Sequence, residues 1–600
     1  MAEYRPPLQD IEFTLHHVAE LPAVAKLDGF QHLDPDTVSG ILSEAGRFFA
    51  EVMAPLNRIG DIQGSVLGED GRVTTPEGFK EAYAKYVEAG WGGAHIPEEH
   101  GGGGLPYTIG MVLQEMFKTA NMAFSLCPLL TQAAIEALAQ HGTDRQRELY
   151  LEKLVTGEWA GTMCLTEPQA GSDVGALTTK AVRQEDGSYR LTGTKIFITW
   201  GDHDLTDNII HLVLARTPGS APGTKGISMF IVPKFLLDDE GEPAERNDIR
   251  IVSIEEKLGI HASPTCVVSF GDAGEGAVGY LIGEEQQGMR NMFTMMNTAR
   301  IGVGVEGLAI TERAYQHAVD YARERLQGRE VGAPATETAK IVRHPDVRRM
   351  LMTMRSYREA MRALLYLTAR YVDEEDHGES AEARRAAGEV VALLTPVTKA
   401  WPTDAGVEMA SLAIQVHGGM GYVEETGVAQ HYRDVRIAPI YEGTNGIQAI
   451  DLVMRKVPMG GGEVVERLLA KVREVAERLN EHESLERLAV HLEDGVEAVE
   501  DSVDYILSRL ERSPDDALAA ATPFLRLLGT VLGAWLMGKA ALAAEEQLRN
   551  GEGDQEFLAG KLATSRFFIE QILPSQLGLV ESVTAGADVL FAIPEESLPT

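Results

Sequence analysis

The sequence predicts an α+β multidomain protein, with a helical N-domain, a central β-barrel-like domain, a helical-bundle C-domain and an additional C-terminal helical domain. Three observations predict it. Apolar residues recur at helical spacing up to about residue 160 and again from about residue 285. Between those stretches, β-branched and aromatic runs alternate with turns. The chain has 600 residues, whereas single cores stop growing near ~250–300 residues.

Taken in order, residues 1–35 read as an N-terminal extension. The helical N-domain, 36–160, opens on DPDTVSGILSEAGRFFAEVMAPL, with Asp34 or Asp36 as N-cap. TPEGFKEAYAKYVEAG and TQAAIEALAQHG follow the same pattern, each closing at a glycine. His100–Pro106 carries four glycines and is expected as a loop. The β domain, 161–280, contains SYRLTGTKIFIT, NIIHLVLAR, KGISMFIVP and TCVVSF, and Asp186-Gly187 marks a hairpin turn. Residues 281–457 hold three long amphipathic helices, the third spanning about 380–417. Pro458 and Gly460–Gly462 break any helix and read as a linker. Residues 463–600 are again helical, acidic on one face, with apolar faces expected to pack against the core. The most hydrophobic window is 524–544, but Arg526 and Lys539 leave only twelve uncharged residues between them. A membrane span needs ~20 apolar residues, so this window is expected as a buried bundle helix.

A formal net charge of −36 argues against nucleic-acid binding, which needs clustered cations. The three cysteines, Cys127, Cys164 and Cys266, form no CxxC pair, which suits a reducing cytoplasm and argues against a structural metal. MAEYRPPLQDIEF has no apolar signal core, so a cytoplasmic enzyme is expected.

Three segments carry chemistry. Ile440-Tyr441-Glu442-Gly443-Thr444-Asn445-Gly446-Ile447-Gln448 places one carboxylate in an apolar frame beside glycines. Apolar neighbours raise a carboxylate's pKa, and a base so tuned can take a proton from carbon. GTMCLTEPQAGSDVGALTTKA, 161–181, and LTGTKIFIT, 191–199, supply hydroxyls and an apolar strand. Gly302-Val303-Gly304-Val305-Glu306-Gly307 fits a dinucleotide fingerprint, but it follows no strand and reads as a close helix-packing face. Met289, Met292, Met295 and Met296 read as core, with an acyl-tunnel lining as the alternative.

Together these segments, over about residues 35–455, resemble the acyl-CoA dehydrogenase family, and the added C-terminal domain resembles its longer bacterial branch. The resemblance implies FAD and the α,β-dehydrogenation of a saturated acyl-CoA to the trans-2-enoyl-CoA. Glu442 is the implied α-proton base, with hydride passing to flavin N5. The alternative helix position for a base is occupied by Ala299, which cannot act as one. The implied cofactor contacts are Met163, Leu165, Thr166, Ser172, Phe197, Thr199, Arg325, Gln415, Gly418, Gly419 and Thr444. On the substrate side the implied contacts are Ser172, Asn297, Arg300, Tyr441 and Gly443. Phe197 stands where the family usually carries a Trp, Met163 where an aromatic is common, and Gln169 where Gly is common. The family shares its flavin site across subunits, which implies a homodimer or a higher homo-oligomer. An electron-transfer flavoprotein is the implied electron acceptor. An oxidase using oxygen and a dehydrogenase specific for 3-(methylthio)propanoyl-CoA remain open alternatives.

Overall fold

The computed structural model describes residues 3–334 and 336–598. The chain folds into two compact units: residues 1–44, 106–115 and 303–600 form the first, and residues 45–105 and 116–302 the second. The helices that matter below are α1 (Leu8–Phe13), α2 (Tyr107–Ala120), α3 (Met122–His141), α4 (Gly288–Glu324), α5 (Pro345–His377) and α6 (Ala381–His417). They continue with α7 (Asn445–Asp451), α8 (Glu463–Asn480), α9 (Glu486–Arg509), α10 (Pro514–Asn550) and α11 (Gln555–Phe567).

In the first unit, α5 and α6 pack as a pair and α10 lies against both. Around α10, α8, α9 and α11 complete a bundle. Among the described residues two helices are long and apolar enough to cross a membrane, Met122–His141 and Pro514–Asn550, and the apolar window of each is 89% buried inside the protein. The window 524–544 is therefore the buried bundle helix that its two cations foretold. The expected break also appears: Gly460, Gly461 and Gly462 take φ of 58°, 72° and 107°, and α8 starts at Glu463. The C-terminal helices pack on α5 and α6, and Trp401 Nε1 of α6 donates to Thr530 Oγ1 of α10 at 3.3 Å.

The dinucleotide-like glycines lie inside α4. A Cβ on Gly304 would sit 2.0 Å from the Thr398 carbonyl, and one on Gly307 would sit 2.0 Å from that of Pro402. Only glycine permits α4 to approach α6 this closely.

Among the described residues the main sheet of the second unit has eight strands: β1 (Trp159–Cys164), β2 (Lys180–Arg183), β3 (Tyr189–Thr199), β4 (Asn208–Arg216), β5 (Ile227–Pro233), β6 (Ile249–Ile254), β7 (Thr265–Phe270) and β8 (Ala277–Ile282). Their order is β6-β7-β3-β8-β5-β4-β1, and β2 pairs with both β3 and β4. That double pairing closes a five-strand barrel, β2-β3-β8-β5-β4. All its pairs are antiparallel except the single parallel bridge Lys180↔Arg216. Strands β4 and β5 are buried on both faces, which explains their unbroken apolar sequences. One face, with Val213, Phe230 and Val232, forms one core with Tyr189 and Leu191 of β3. The other, with Leu212, Met229 and Ile231, meets Leu130, Ala134 and Leu138 of α3. Met292 and Met295 belong to this second core and Met289 and Met296 pack on it, so the Met cluster is core.

Candidate active site

Glu442 lies in a turn between Val435 and α7, half-exposed, with φ of 55°. Gly443 follows with φ of 82°. Left-handed backbone at a non-glycine residue costs on the order of 1–3 kcal/mol and persists only where the surroundings over-determine it. Three anchors do so here. Before Glu442, the Tyr441 hydroxyl donates to Glu306 Oε2 of α4 at 2.6 Å. After it, Asn445 Nδ2 donates to the Ala400 carbonyl (3.1 Å), Thr403 Oγ1 (3.0 Å) and Asp404 Oδ1 (2.7 Å) of α6. The Asn445 side-chain oxygen accepts from Lys399 Nζ at 2.8 Å. Across the turn, Asn445 N–H donates to the Pro439 carbonyl (3.0 Å), and Gln448 Nε2 to the Glu442 carbonyl (3.4 Å). Thr444 caps α7, its hydroxyl accepting from Ile447 N–H at 3.2 Å.

In the second unit, the loop leaving β1 carries Leu165 and Thr166, both half-buried, and Ser172, exposed. Met163 is 7% exposed and packs in the helix-facing core. The loop is fixed by Glu167. Its carboxylate accepts from Thr178 N–H (2.7 Å), Thr178 Oγ1 (2.9 Å), Thr179 N–H (3.1 Å), Thr179 Oγ1 (2.5 Å) and Lys195 Nζ (2.8 Å). Lys195 also donates to the Leu165 carbonyl at 2.9 Å. Burial pushes the Glu167 carboxyl up, but Lys195 and the threonines outweigh it and hold it down at about 2.

Strand β3 pairs Lys195 with Val268 and Ile198 with Cys266, so Ile196 and Phe197 together oppose Val267. This is a β-bulge. Phe197 has φ of 58° there and is 58% exposed. Thr199 follows, half-buried. An apolar ring held outward beside half-buried hydroxyls suits the face and edge of an aromatic heterocycle such as a flavin. Further along the second unit, Arg300 is buried, stacks on Phe293 at 5.7 Å and donates to the Asn297 side-chain oxygen at 3.5 Å. Asn297 itself is exposed.

In the first unit, Arg325, Gln415, Gly418 and Gly419 are all exposed, and nothing lies within 4 Å of a Cβ built on Gly418 or Gly419. An exposed guanidinium and bare backbone fit an anionic dinucleotide. His417 stacks on Tyr321, with ring centroids 4.4 Å apart, and its Nδ1 bonds the Ala413 carbonyl at 2.7 Å, a packing role. Sequence reasoning missed Glu167, Lys195, Glu306 and Asn445. For Lys195 a signal existed: it falls in step with Tyr189 and Leu191 on the inward face of a period-two strand.

Family models match nearly the whole chain. They are the acyl-CoA dehydrogenase N-terminal domain over residues 41–158, middle domain over 162–273 and C-terminal domain over 286–457. A model described as acetyl-CoA dehydrogenase C-terminal like matches 468–594. The chain is 47% identical over 571 residues to 3-methylmercaptopropionyl-CoA dehydrogenase of Ruegeria pomeroyi, covering 95% of this chain and 96% of that protein. It is 35% identical over 593 residues to the broad-specificity linear acyl-CoA dehydrogenase FadE5 of Mycobacterium tuberculosis, covering 96% of each. Among solved structures, an acyl-CoA dehydrogenase of Bacillus anthracis complexed with FAD superposes with a TM-score of 0.72 at 21% identity. That match covers 94% of this chain and 89% of that one, and it shows a shared fold.

Proposed function

The chain belongs to the acyl-CoA dehydrogenase family, FAD-dependent enzymes acting on acyl-CoA thioesters, and on that premise we propose that Glu442 is the base that removes the α-proton of the bound acyl chain. The observation that carries this is the Glu442 turn. A half-exposed carboxylate is held in left-handed backbone by anchors on both sides. Strain of that kind concentrates where a group must be pre-aimed.

FAD, when bound, supplies the acceptor for the hydride leaving Cβ. In the second unit Met163, Leu165, Thr166, Ser172, Phe197 and Thr199 would hold it, Met163 through its backbone because its side chain is in the core. In the first unit Thr444 would hold it, while Arg325, Gln415, Gly418 and Gly419 would serve the FAD of a second copy of the chain in a homodimer. Ser172, Asn297, Arg300, Tyr441 and Gly443 would hold the acyl-CoA. Glu442 takes the α-proton as the thioester enolate forms, and its own backbone N–H would donate to that oxygen. The 47% identity to an enzyme named for a thioether acyl-CoA supports a short chain, 3-(methylthio)propanoyl-CoA among the candidates. An electron-transfer flavoprotein as acceptor, in the cytoplasm, completes the proposal.

The test is anaerobic flavin bleaching across short, long, branched and thioether acyl-CoAs. Glu442→Gln is expected to keep FAD and ligand but to bleach about 10²–10⁴-fold more slowly, the usual contribution of a positioned base. Bleaching at the parental rate would overturn the assignment. Peroxide formed in air at the rate seen with an artificial acceptor would replace the dehydrogenase with an oxidase.

A further inference from the structure

We propose that Glu306 is a positioning residue for the Glu442 turn: its buried carboxylate fixes the Tyr441 ring and, through it, the backbone that carries the base. The role rests on the assignment of Glu442 above.

Glu306 is 0% exposed. A carboxylate is a costly group to bury, because desolvation disfavours its charge unless donors replace the lost water. The Tyr441 hydroxyl is such a donor at 2.6 Å, the short distance of a bond to an ionised acceptor. Burial first, and then Glu306, holds the Tyr441 phenol well above its ordinary pKa, so the hydroxyl keeps its proton and stays a donor across the physiological range. A neutral acceptor would satisfy a half-buried tyrosine at lower cost, so the carboxylate points to a demand for strength.

The post is also rigid. Glu306 sits between Gly304 and Gly307, the two residues through which α4 presses on the Thr398 and Pro402 carbonyls of α6. The same stretch of α6 holds Asn445 through Ala400, Thr403 and Asp404. The turn is thus fixed at residue 441 to α4 and at residue 445 to α6, with the strained residue between. Releasing the first anchor leaves the peptide between Tyr441 and Glu442 free to rotate and relax φ at Glu442. The base would then leave its aim although its own side chain is untouched.

The experiment uses the FAD-loaded full-length enzyme in five forms: parent, Tyr441→Phe, Glu306→Leu, Glu306→Gln, and the Tyr441→Phe/Glu306→Leu double variant. For each, kcat, KM and the denaturant midpoint are measured. Tyr441→Phe and Glu306→Leu are each expected to lower kcat about ten- to a hundredfold, the scale of a lost bond to a charged group, with KM little changed for Glu306→Leu, which has no place in the acyl-CoA contacts. The double variant is expected to be no slower than either single one. It should also unfold at higher denaturant than Glu306→Leu, since no buried hydroxyl is left without an acceptor. Glu306→Gln, whose amide oxygen still accepts, should recover most of the rate. Additive losses in the double variant, or rates that follow the denaturant midpoint alone, would overturn the positioning role while Glu442→Gln remains inactive. If Glu442→Gln itself bleaches normally, the base assignment falls and this role with it.

Discussion

Lys195 and Glu167 are both fully buried, and each is the other's main compensation for lost water. Removing one partner of a buried pair strands the other's charge, which costs more than the pair's net worth. The Glu167 carboxyl titrates at about 2 in the fold against 4.5 when free. A depressed carboxylate stabilises the fold fully above its unfolded pKa, and that contribution is lost as pH falls toward the folded one. The β domain is therefore expected to lose stability as pH drops from 4.5 toward 2, part of it through Glu167. Denaturant unfolding followed across that range should show a shallower slope for Glu167→Gln, and an identical slope would remove Glu167 from the account. The period-two pattern of β3 carries a signal for Lys195, on an inward face where lysine needs a partner. It did not say which acid, because Glu167 sits on the loop after another strand.

At the scale of the element, β3 shows where periodicity stops informing. Counting by twos from Tyr189, Leu191 and Lys195 sends residue 197 inward. The bulge against β7 inserts a residue, and Phe197 turns out while Ile198 turns in. Bulges are set by register with a neighbouring strand, which one strand's sequence does not encode. Phe197→Gly is expected to leave the apoprotein as stable or to stabilise it by up to about 1 kcal/mol, since glycine takes positive φ without strain. It should weaken FAD retention, because the outward ring is gone. Apoprotein unfolding and FAD titration check both halves, and unchanged FAD affinity would remove Phe197 from the cofactor face. Helix α4 gives the opposite case. Its glycines mimic a phosphate loop, but the absence of a preceding strand made the helical reading legible.

At the scale of the molecule, a buried charge network ties the first unit together. Arg362 is 0% exposed and bonds Glu115 of α2, Glu312 of α4 and Asp10 of α1. Lys561 of α11 bonds Asp10 at 2.7 Å and Glu359 of α5 at 2.8 Å. Arg358 bonds Glu312 at 3.1 Å, and the Tyr366 hydroxyl bonds Glu115 at 2.5 Å. Burial pushes the Asp10 carboxyl up, but Lys561 and Arg362 outweigh it and hold it well below the usual range. The N-terminal segment, which read from sequence as an extension, thus supplies a buried acid to the core. Arg362→Met is expected to cost about 3–5 kcal/mol, because Glu115, Glu312 and Asp10 each lose a buried cation that bonds them. Lys561→Met should cost a comparable amount through Asp10 and Glu359. Denaturant unfolding of the full chain measures both, and a loss below about 1 kcal/mol, the scale of a surface pair, would show that the network is not holding the unit.

The sequence by itself determined the order of helical and β regions, the glycine break before α8, the buried character of α10 and the motifs that mark the family. All of these rest on local periodicity, turn chemistry and composition, which act over a few residues. Only the tertiary structure decided that Glu442 lies in left-handed backbone, that Glu306 reaches Tyr441, that Glu167 meets Lys195 and that Asp10 meets Lys561. Those pairs join residues 28 to 551 positions apart. A buried charge takes whichever opposite charge the packing of distant segments brings within bonding distance, and no local pattern specifies that distance.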